Sequence, residues 1–157
     1  MSLVCFDTNF VIWGIKRQAT AGQDGNIAKA VYLLQQLEQQ DKQILIPTIV
    51  LGEVLASLPV EQHASFVVLI QRAFILAPYD AAAASHFARM WQKRVKDSSH
   101  SRNETKADYM IAAIAMANQC ESIYSNDDGL RKFASDHIPV VGIEEISIPP
   151  EQGALFS

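Results

Sequence analysis

Short apolar runs alternate with longer amphipathic segments along the 157-residue chain. Apolar runs that stop at a polar residue or a proline predict buried strands, and apolar residues spaced three and four apart predict helices. The predicted strands are 3–6, 44–46, 74–76, 122–124 and 140–141. The predicted helices are 10–15, 27–40, 49–58, 60–72, 80 to about 96, 105–118 and 128–135. The segments 18–26 and 97–104 are polar and are predicted to be loops.

This order of elements predicts an α/β fold. Strands that alternate with helices and are apolar throughout are typical of a parallel sheet covered on both faces. We therefore predict a single three-layer domain, a five-stranded parallel sheet flanked by helices, over residues 1–147. Residues 148–157 are expected to form a surface tail. In such sheets the functional site lies at the carboxyl ends of the strands.

The composition is that of a folded globular protein, with 49% hydrophobic residues, 19% charged residues and a net charge of -4. This balance excludes a chain that is mainly disordered. Cys5 and Cys120 both lie in apolar runs, which favours reduced core thiols over a disulfide framework. The four histidines have no zinc-ligand spacing. No apolar run approaches the length of a membrane span, so we expect a cytoplasmic protein with no membrane partner.

Four carboxylates lie where the fold predicts a site. Asp7 follows the first strand, Glu53 lies on the helix after the second, and Asp108 is expected in the first turn of the helix before the fourth. Asp127 follows the fourth strand. Each has an ordinary alternative role as a turn residue, a cap or a complement to a helix dipole. Glu53 stands out because its apolar surroundings predict burial, and a buried Glu needs compensation.

These carboxylates would form a metal site if they converge. Two carboxylates about 4 Å apart repel by roughly 4 kcal/mol at an effective dielectric near 20, so four require a cation. Oxygen ligands without Cys or His suit Mg²⁺ or Mn²⁺. Such ions support phosphodiester hydrolysis, because they lower the pKa of the attacking water and stabilise charge on the phosphate. No nucleophilic triad and no glycine-rich phosphate loop competes with this interpretation.

Four short motifs in this order resemble the PIN-domain family. The motifs are Cys5-Phe6-Asp7-Thr8-Asn9, Pro47-Thr48-Ile49-Val50-Leu51-Gly52-Glu53, Lys106-Ala107-Asp108 followed by Ile111-Ala112-Ala113-Ile114-Ala115, and Ser125-Asn126-Asp127. The resemblance spans about residues 2–143 and is closest to stand-alone bacterial members similar to VapC toxins. The segments 18–26 and 97–104 look longer than in compact toxin members.

The resemblance implies an Mg²⁺- or Mn²⁺-dependent endoribonuclease. The positions matching the acidic metal-binding and catalytic quartet are Asp7, Glu53, Asp108 and Asp127. Asn9 and Ser125 match polar catalytic positions that orient ligands and water, and Ser125 stands where Thr is usual. Asp128 has no fixed counterpart. The resemblance also implies a cognate antitoxin, for which an arginine reaching the carboxylates would be a suitable plug. Homodimers are frequent in the family, and the Ala-rich segment 80–96 offers a packing surface.

A group of cations close in sequence to Asp108 is predicted to bind RNA. Its members are Lys93, Arg94, Lys96, Arg102 and Lys106. The acidic net charge alone argues against a nucleic-acid partner. With four carboxylates assigned to a metal site, however, the rest of the chain is nearly balanced. Trp13 and Trp91 are expected to be core or dimer-contact residues.

Two alternative functions remain. A haloacid-dehalogenase-like phosphatase also begins with an Asp after the first strand, and Lys106 with Asp127 and Asp128 would mimic its later motifs. That family needs a second Asp two residues after the nucleophile, where this chain has Asn9. The other alternative is a catalytically inactive PIN scaffold or RNA-binding module, which would be expected to lack part of the quartet.

Overall fold

The computed structural model describes residues 2–94 and 102–150. The strands are β1 (Ser2–Phe6), β2 (Lys42–Pro47), β3 (Ile75–Ala77), β4 (Ile123–Tyr124) and β5 (Val140–Val141). The helices are α1 (Thr8–Val11), α2 (Asp24–Gln39), α3 (Thr48–Ala56), α4 (His63–Ala73), α5 (Ala81–Gln92), α6 (Arg102–Ala117) and α7 (Asp128–Ala134). A π-helical turn, Ile12–Lys16, extends α1, and single 3₁₀ turns cover Val60–Gln62 and Ile143–Glu145.

The five strands form one parallel sheet in the order β3-β2-β1-β4-β5. The first strand is central: Val4 is paired with Ile44 of β2, and Phe6 is paired with Tyr124 of β4. The strand order reverses between β1 and β4, which creates a topological switch point at the carboxyl edge. The predicted fold class, a five-stranded parallel sheet flanked by helices, is confirmed.

Helix α6 is the most deeply buried helix of the described residues. It packs against α5, α7, α3 and β2, and its residues from Ile111 to Ala115 are all buried. Three of these five residues are alanines, whose small side chains let neighbouring backbones approach closely. This packing fixes α6, which carries Asp108 near its N-terminal end, relative to the sheet.

Several element boundaries differ from the sequence prediction. Helix α2 begins three residues early, at Asp24, and β3 ends at Ala77 rather than at residue 76. Helix α5 ends at Gln92 rather than near residue 96, and the Arg94 guanidinium donates a hydrogen bond to the Trp91 carbonyl (2.7 Å), which satisfies a C-terminal acceptor. The predicted loop 97–104 was wrong for its last part, since α6 already begins at Arg102.

That error has a physical reason. Polar residues at the start of a helix face solvent, so they do not show the apolar spacing from which a helix is predicted. Glu104 in the first turn complements the helix dipole. Lys96 and the segment 97–101 lie outside the described residues. The tail prediction covers residues 148–157, of which 151–157 also lie outside them, and the domain boundary stays a prediction.

Other sequence expectations can be compared with the buried core. Cys5 and Cys120 are buried free thiols, as predicted, and Trp13 is a core residue with 3% exposure. No helix among the described residues is long and apolar enough to cross a membrane. The rings of Phe6, Phe10 and Tyr124 contact one another with centroids 5.6–5.7 Å apart beneath the carboxyl ends of β1 and β4.

This aromatic cluster generates the first prediction. Replacing Phe10 by Ala removes a fully buried ring directly below the carboxyl edge and leaves a cavity. We expect the free energy of unfolding to fall by about 3–5 kcal/mol, measured by urea denaturation. Val60→Ala, at a side chain that is 76% exposed, is the control and should change it by less than about 0.5 kcal/mol. Equal effects of the two variants would contradict the assigned core.

Candidate metal centre

Asp7 lies at the carboxyl end of β1, beside the switch point, and is almost fully buried. Its backbone N–H donates to the Tyr124 carbonyl (3.0 Å), which continues the β1–β4 ladder. Its side chain caps α1, because Oδ1 accepts a hydrogen bond from the Thr8 backbone N–H (2.7 Å). The sheet and the helix start therefore fix this carboxylate together.

Ser125 links Asp7 to the end of β4. Its side chain is fully buried, and its hydroxyl donates to Oδ2 of Asp7 (2.6 Å). The same hydroxyl oxygen accepts a hydrogen bond from the Asp127 backbone N–H (3.1 Å), and the Ser125 N–H donates to the Val141 carbonyl (3.0 Å). One hydroxyl thus couples the two acidic positions that follow the central strands.

Asp127 is the N-cap of α7. Its Oδ1 accepts a hydrogen bond from the Leu130 N–H (3.0 Å), so the ordinary capping role that the sequence allowed for this residue is present. Arg131 on the same helix bridges Glu144 (2.8 Å) and Glu145 (3.1 Å) of the last 3₁₀ turn. The cap sets the position of Asp127, and the ion pairs link α7 to the 3₁₀ turn Ile143–Glu145.

Glu53 is exposed, which corrects the expectation that it lies on a buried helix face. Helix α3 turns Val50 and Val54 inward, and Glu53 projects into solvent at the cleft. The hydroxyl of Thr8 donates to Oε2 of Glu53 (2.6 Å). Sequence reasoning did not single out Thr8, although it lies inside the Asp7-Thr8-Asn9 motif. Its hydroxyl is the only one in that motif, which was the available signal.

Asp108 is buried in the second turn of α6 rather than in the first, because the helix begins at Arg102. This position removes the simple dipole explanation, since the dipole acts mainly within the first turn. The pKa of the Asp108 carboxyl is raised to about 8. Burial is the largest cause, and the nearby carboxylates of Asp127, Asp7, Glu53 and Glu104 contribute to the same shift. These carboxylates are therefore near enough to Asp108 to act on it electrostatically.

Asp7 has a balance of opposing influences. Burial raises the pKa of its carboxyl, the hydrogen bonds from Ser125 and Thr8 lower the pKa, and Glu53 and Asp127 raise it. The net direction is upward. The hydrogen bonds from Ser125 and Thr8 therefore favour the ionised form that a metal ligand needs, in surroundings that otherwise disfavour it.

Three of the four carboxylates, those of Glu53, Asp108 and Asp127, line a cleft of about 500 Å³ at the carboxyl edge, and Asp7 lies outside its lining. Its lining residues are Asn9, Glu53, Glu104, Ala107, Asp108, Asn126, Asp127, Asp128 and Gly129. Glu104 lies four residues before Asp108 and so on the same helix face, a spacing that the predicted loop concealed. A slightly larger cleft, about 550 Å³, lies at the opposite edge of the sheet near Lys42 and Arg72, and contains none of the predicted site residues.

The donor chemistry of the quartet fits a small divalent ion. All the side chains that meet at the cleft offer oxygen, which Mg²⁺ and Mn²⁺ prefer. Among the described residues, no three His, Cys, Asp or Glu side chains are close enough to share one ion. Mg²⁺ usually binds through one or two carboxylates and keeps several waters, so an open carboxylate cleft fits this ion better than a closed cage.

The predicted RNA-binding cations lie away from the cleft lining. Arg94 and Lys106 both face the ring of Trp91, at 3.6 Å and 5.7 Å from its centroid. Lys93 and Arg102 are exposed at the end of α5 and the start of α6. Lys96 lies outside the described residues. None of the four described cations lines the acidic cleft.

The model of the PIN domain family matches residues 4–136, and the chain therefore belongs to that family. The fold is similar to that of VapBC2 from Rickettsia felis bound to a DNA fragment from their promoter, with a TM-score of 0.60 and 15% identity over 89% of this chain and 98% of that chain.

VapBC from Salmonella typhimurium bound to DNA is also similar, with a TM-score of 0.59 and 19% identity over 91% of this chain and 99% of that one. VapC20 from Mycobacterium tuberculosis, described as a Sarcin-Ricin loop cleaving toxin, has a TM-score of 0.51 and 14% identity over 86% and 95%. At these identities the likenesses concern the fold. No curated protein matches the chain significantly in sequence.

The link through Ser125 generates the second prediction. Ser125→Ala removes the buried donor to Asp7 and leaves the part-buried Asp127 N–H without its acceptor. We expect a loss of about 1–3 kcal/mol in the free energy of unfolding, measured by urea denaturation. Ser65→Ala, at an exposed hydroxyl on α4, is the control and should change little. A neutral Ser125→Ala variant would contradict the role assigned to this hydroxyl.

The raised pKa of Asp108 generates the third prediction. Without divalent ions, the folded protein retains on Asp108 a proton that the unfolded chain has released, so stability falls as the pH rises from about 4 to about 8. Between about pH 6 and about pH 8 the melting temperature should fall, and Asp108→Asn should lessen this fall. Adding Mn²⁺ at about pH 8 should raise the wild-type melting temperature. A stability profile unaffected by Asp108→Asn would contradict the coupling.

Proposed function

We propose that this protein is a divalent-metal-dependent endoribonuclease and the toxin of a VapBC-type toxin–antitoxin pair. The observation that supports the proposal is the cleft at the carboxyl edge of the sheet, which is lined by Glu53, Asp108 and Asp127 and in which the pKa of Asp108 is raised to about 8. Membership of the PIN domain family supports the same chemistry, because these domains generally use divalent ions.

The residues of the cleft divide into ligands and groups that position them. Asp7, Glu53, Asp108 and Asp127 would hold Mg²⁺ or Mn²⁺, and the Ser125 hydroxyl fixes Asp7 in one orientation. The hydroxyl of Thr8 plays the same part for Glu53, which otherwise has the freedom of an exposed side chain. When bound, the divalent ion supplies polarisation of the scissile phosphate and a lower pKa for the attacking water.

Other cleft residues would act on the substrate. Asn9 is exposed at the rim, where its amide can donate a hydrogen bond to a phosphate oxygen and its carbonyl can accept one from water. Glu104 and Asp128 add negative charge to the lining. A phosphate of RNA is therefore repelled by the metal-free cleft, so ion binding should precede entry of the scissile phosphate into the cleft.

The proposed partners follow from the same electrostatics. A cognate antitoxin that places an arginine among the carboxylates would neutralise the cleft and occupy the metal sites. The structural relatives include VapBC complexes, which supports a partner of this kind. We also propose a homodimer, since Ala81 and Ala82 at the start of α5 are exposed and allow close packing. The cytoplasm is the expected location.

The fourth prediction tests the activity directly. With Mn²⁺, the wild-type protein should cleave a labelled single-stranded RNA at internal positions. Asp7→Asn should reduce the cleavage rate by more than about a hundredfold, because loss of a metal ligand lowers activity more than loss of a residue that hydrogen-bonds to a ligand. EDTA should abolish cleavage. Cleavage is followed on a denaturing gel, and Asp41→Asn, at an exposed carboxylate far from the cleft in sequence and structure, is the matched control.

Each alternative function has its own outcome in this experiment. Hydrolysis of a small phosphomonoester without RNA cleavage would favour the phosphatase. RNA binding without cleavage, under all metal conditions, would favour an inactive scaffold or RNA-binding module. Cleavage that persists in Asp7→Asn would point to a contaminating nuclease and would contradict the proposal.

A further inference from the structure

A ladder of aromatic rings runs from the end of α5 across α6 to α7. Phe87 and Trp91 are stacked with centroids 5.6 Å apart and an interplanar angle of 15°, and Trp91 meets Tyr109 edge to face at 5.7 Å. Tyr109 in turn stacks on Phe133 at 5.6 Å and 25°. Trp91 is only half-buried, so the ladder reaches the surface at this ring.

Arg94 extends the ladder outward. Its guanidinium carbon lies 3.6 Å from the centroid of the Trp91 ring, which is a stacking distance, and Nη1 donates to the Trp91 carbonyl (2.7 Å). Since Phe87, Trp91 and Arg94 follow one another along one side of the helix and its end, Trp91 lies between the other two in that order. Two contacts thus hold the guanidinium against the ring, and among the described residues only Nη1 of its donors has a hydrogen-bond partner.

The surroundings of this stack are basic. Lys106 places its ammonium 5.7 Å from the same ring centroid. Within the described part of the chain, neither Arg94 nor Lys106 forms an ion pair. The sequence from 81 to 94 contains Arg89, Lys93 and Arg94 and no carboxylate. In a protein of net charge -4, this is a local excess of cations on an aromatic support.

The stack is separate from the acidic cleft but is joined to it by α6. Lys106 and Tyr109 lie three residues apart and share the helix face that meets Trp91. Asp108 is two residues from Lys106 and therefore points to a different side, where it lines the cleft. A strand that crosses α6 would meet the carboxylates on one side of the helix and the Trp91–Arg94 stack on the other.

We propose that Arg94, held flat on Trp91, is a nucleobase-stacking and phosphate-binding site for single-stranded RNA that flanks the cleavage position. A base stacks on the outer face of the guanidinium, as bases do on arginine planes in RNA complexes, and the free N–H donors of Arg94 with the Lys106 ammonium contact phosphates. The inference rests on the proposed ribonuclease function and assigns to it a substrate-binding region outside the cleft. Trp91 is the support of this site rather than a dimer contact.

The test separates stacking from charge. Binding of the full-length protein to a labelled single-stranded RNA of about ten nucleotides is measured by fluorescence anisotropy in EDTA, so that no cleavage occurs. A matched strand with abasic residues removes the nucleobases and keeps the phosphates. The variants are Arg94→Lys, which keeps the charge and loses the planar group, Lys106→Gln, and the control Arg72→Lys at the opposite edge of the sheet.

We expect Arg94→Lys to bind RNA about five- to tenfold more weakly with an unchanged salt dependence, and to lose the preference for RNA over the abasic strand. Lys106→Gln should keep that preference and lower the slope of log K against log salt by about 0.7. Arg72→Lys should match the wild type. Wild-type binding by Arg94→Lys, or equal binding of the abasic strand by the wild type, would overturn the proposal, and melting temperatures verify that each variant is folded.

Failure of this inference is distinguishable from failure of the proposed function. RNA cleavage that requires Asp7, together with wild-type RNA affinity of Arg94→Lys, would contradict the stacking site and leave the ribonuclease intact. Base-dependent RNA binding through Arg94 without any metal-dependent cleavage would support the site and contradict the ribonuclease.

Discussion

The hydrogen bond from the Ser125 hydroxyl to Asp7 is the interaction on which the site depends. It crosses the switch point between β1 and β4, where two parallel strands end side by side, and it joins two acidic motifs that are 118 residues apart in sequence. The same oxygen accepts the Asp127 N–H, so the position of the second acidic residue follows from the first. A buried carboxylate at this place persists because its hydrogen bonds offset part of the cost of burial.

The main unfavourable interaction left in the site is electrostatic repulsion between carboxylates. Asp108 lies on the most deeply buried helix and faces four other carboxylates, so its pKa is raised to about 8. Folding brings these like charges together, and a divalent cation or a cationic partner group would relieve their repulsion. The proposed action on RNA is compatible with a net charge of -4, because negative charge is concentrated where a metal ion would bind. Arg94 and Lys106, which form no ion pair within the described residues, lie across α6.

The sequence predicted the sheet because short apolar runs alternate with amphipathic segments. It predicted the quartet because Asp7 and Asp127 follow strand ends and Glu53 lies on the helix after the second strand. The prediction failed where a polar segment forms a helix. The start of α6 reads as a loop, and that error concealed Glu104 and placed Asp108 one turn too early. Burial of Glu53 was wrongly expected, because an apolar helix segment does not reveal which side faces the sheet.

We propose that carboxylates of the quartet hold a divalent ion at the switch point. A crystal structure of the protein soaked in Mn²⁺, with anomalous scattering recorded for the ion, tests it most directly. The account predicts anomalous density in the cleft, with oxygens of at least two quartet carboxylates within about 2.0–2.6 Å of the ion. Density confined to other surface carboxylates, or none in the cleft at saturating Mn²⁺, would contradict it.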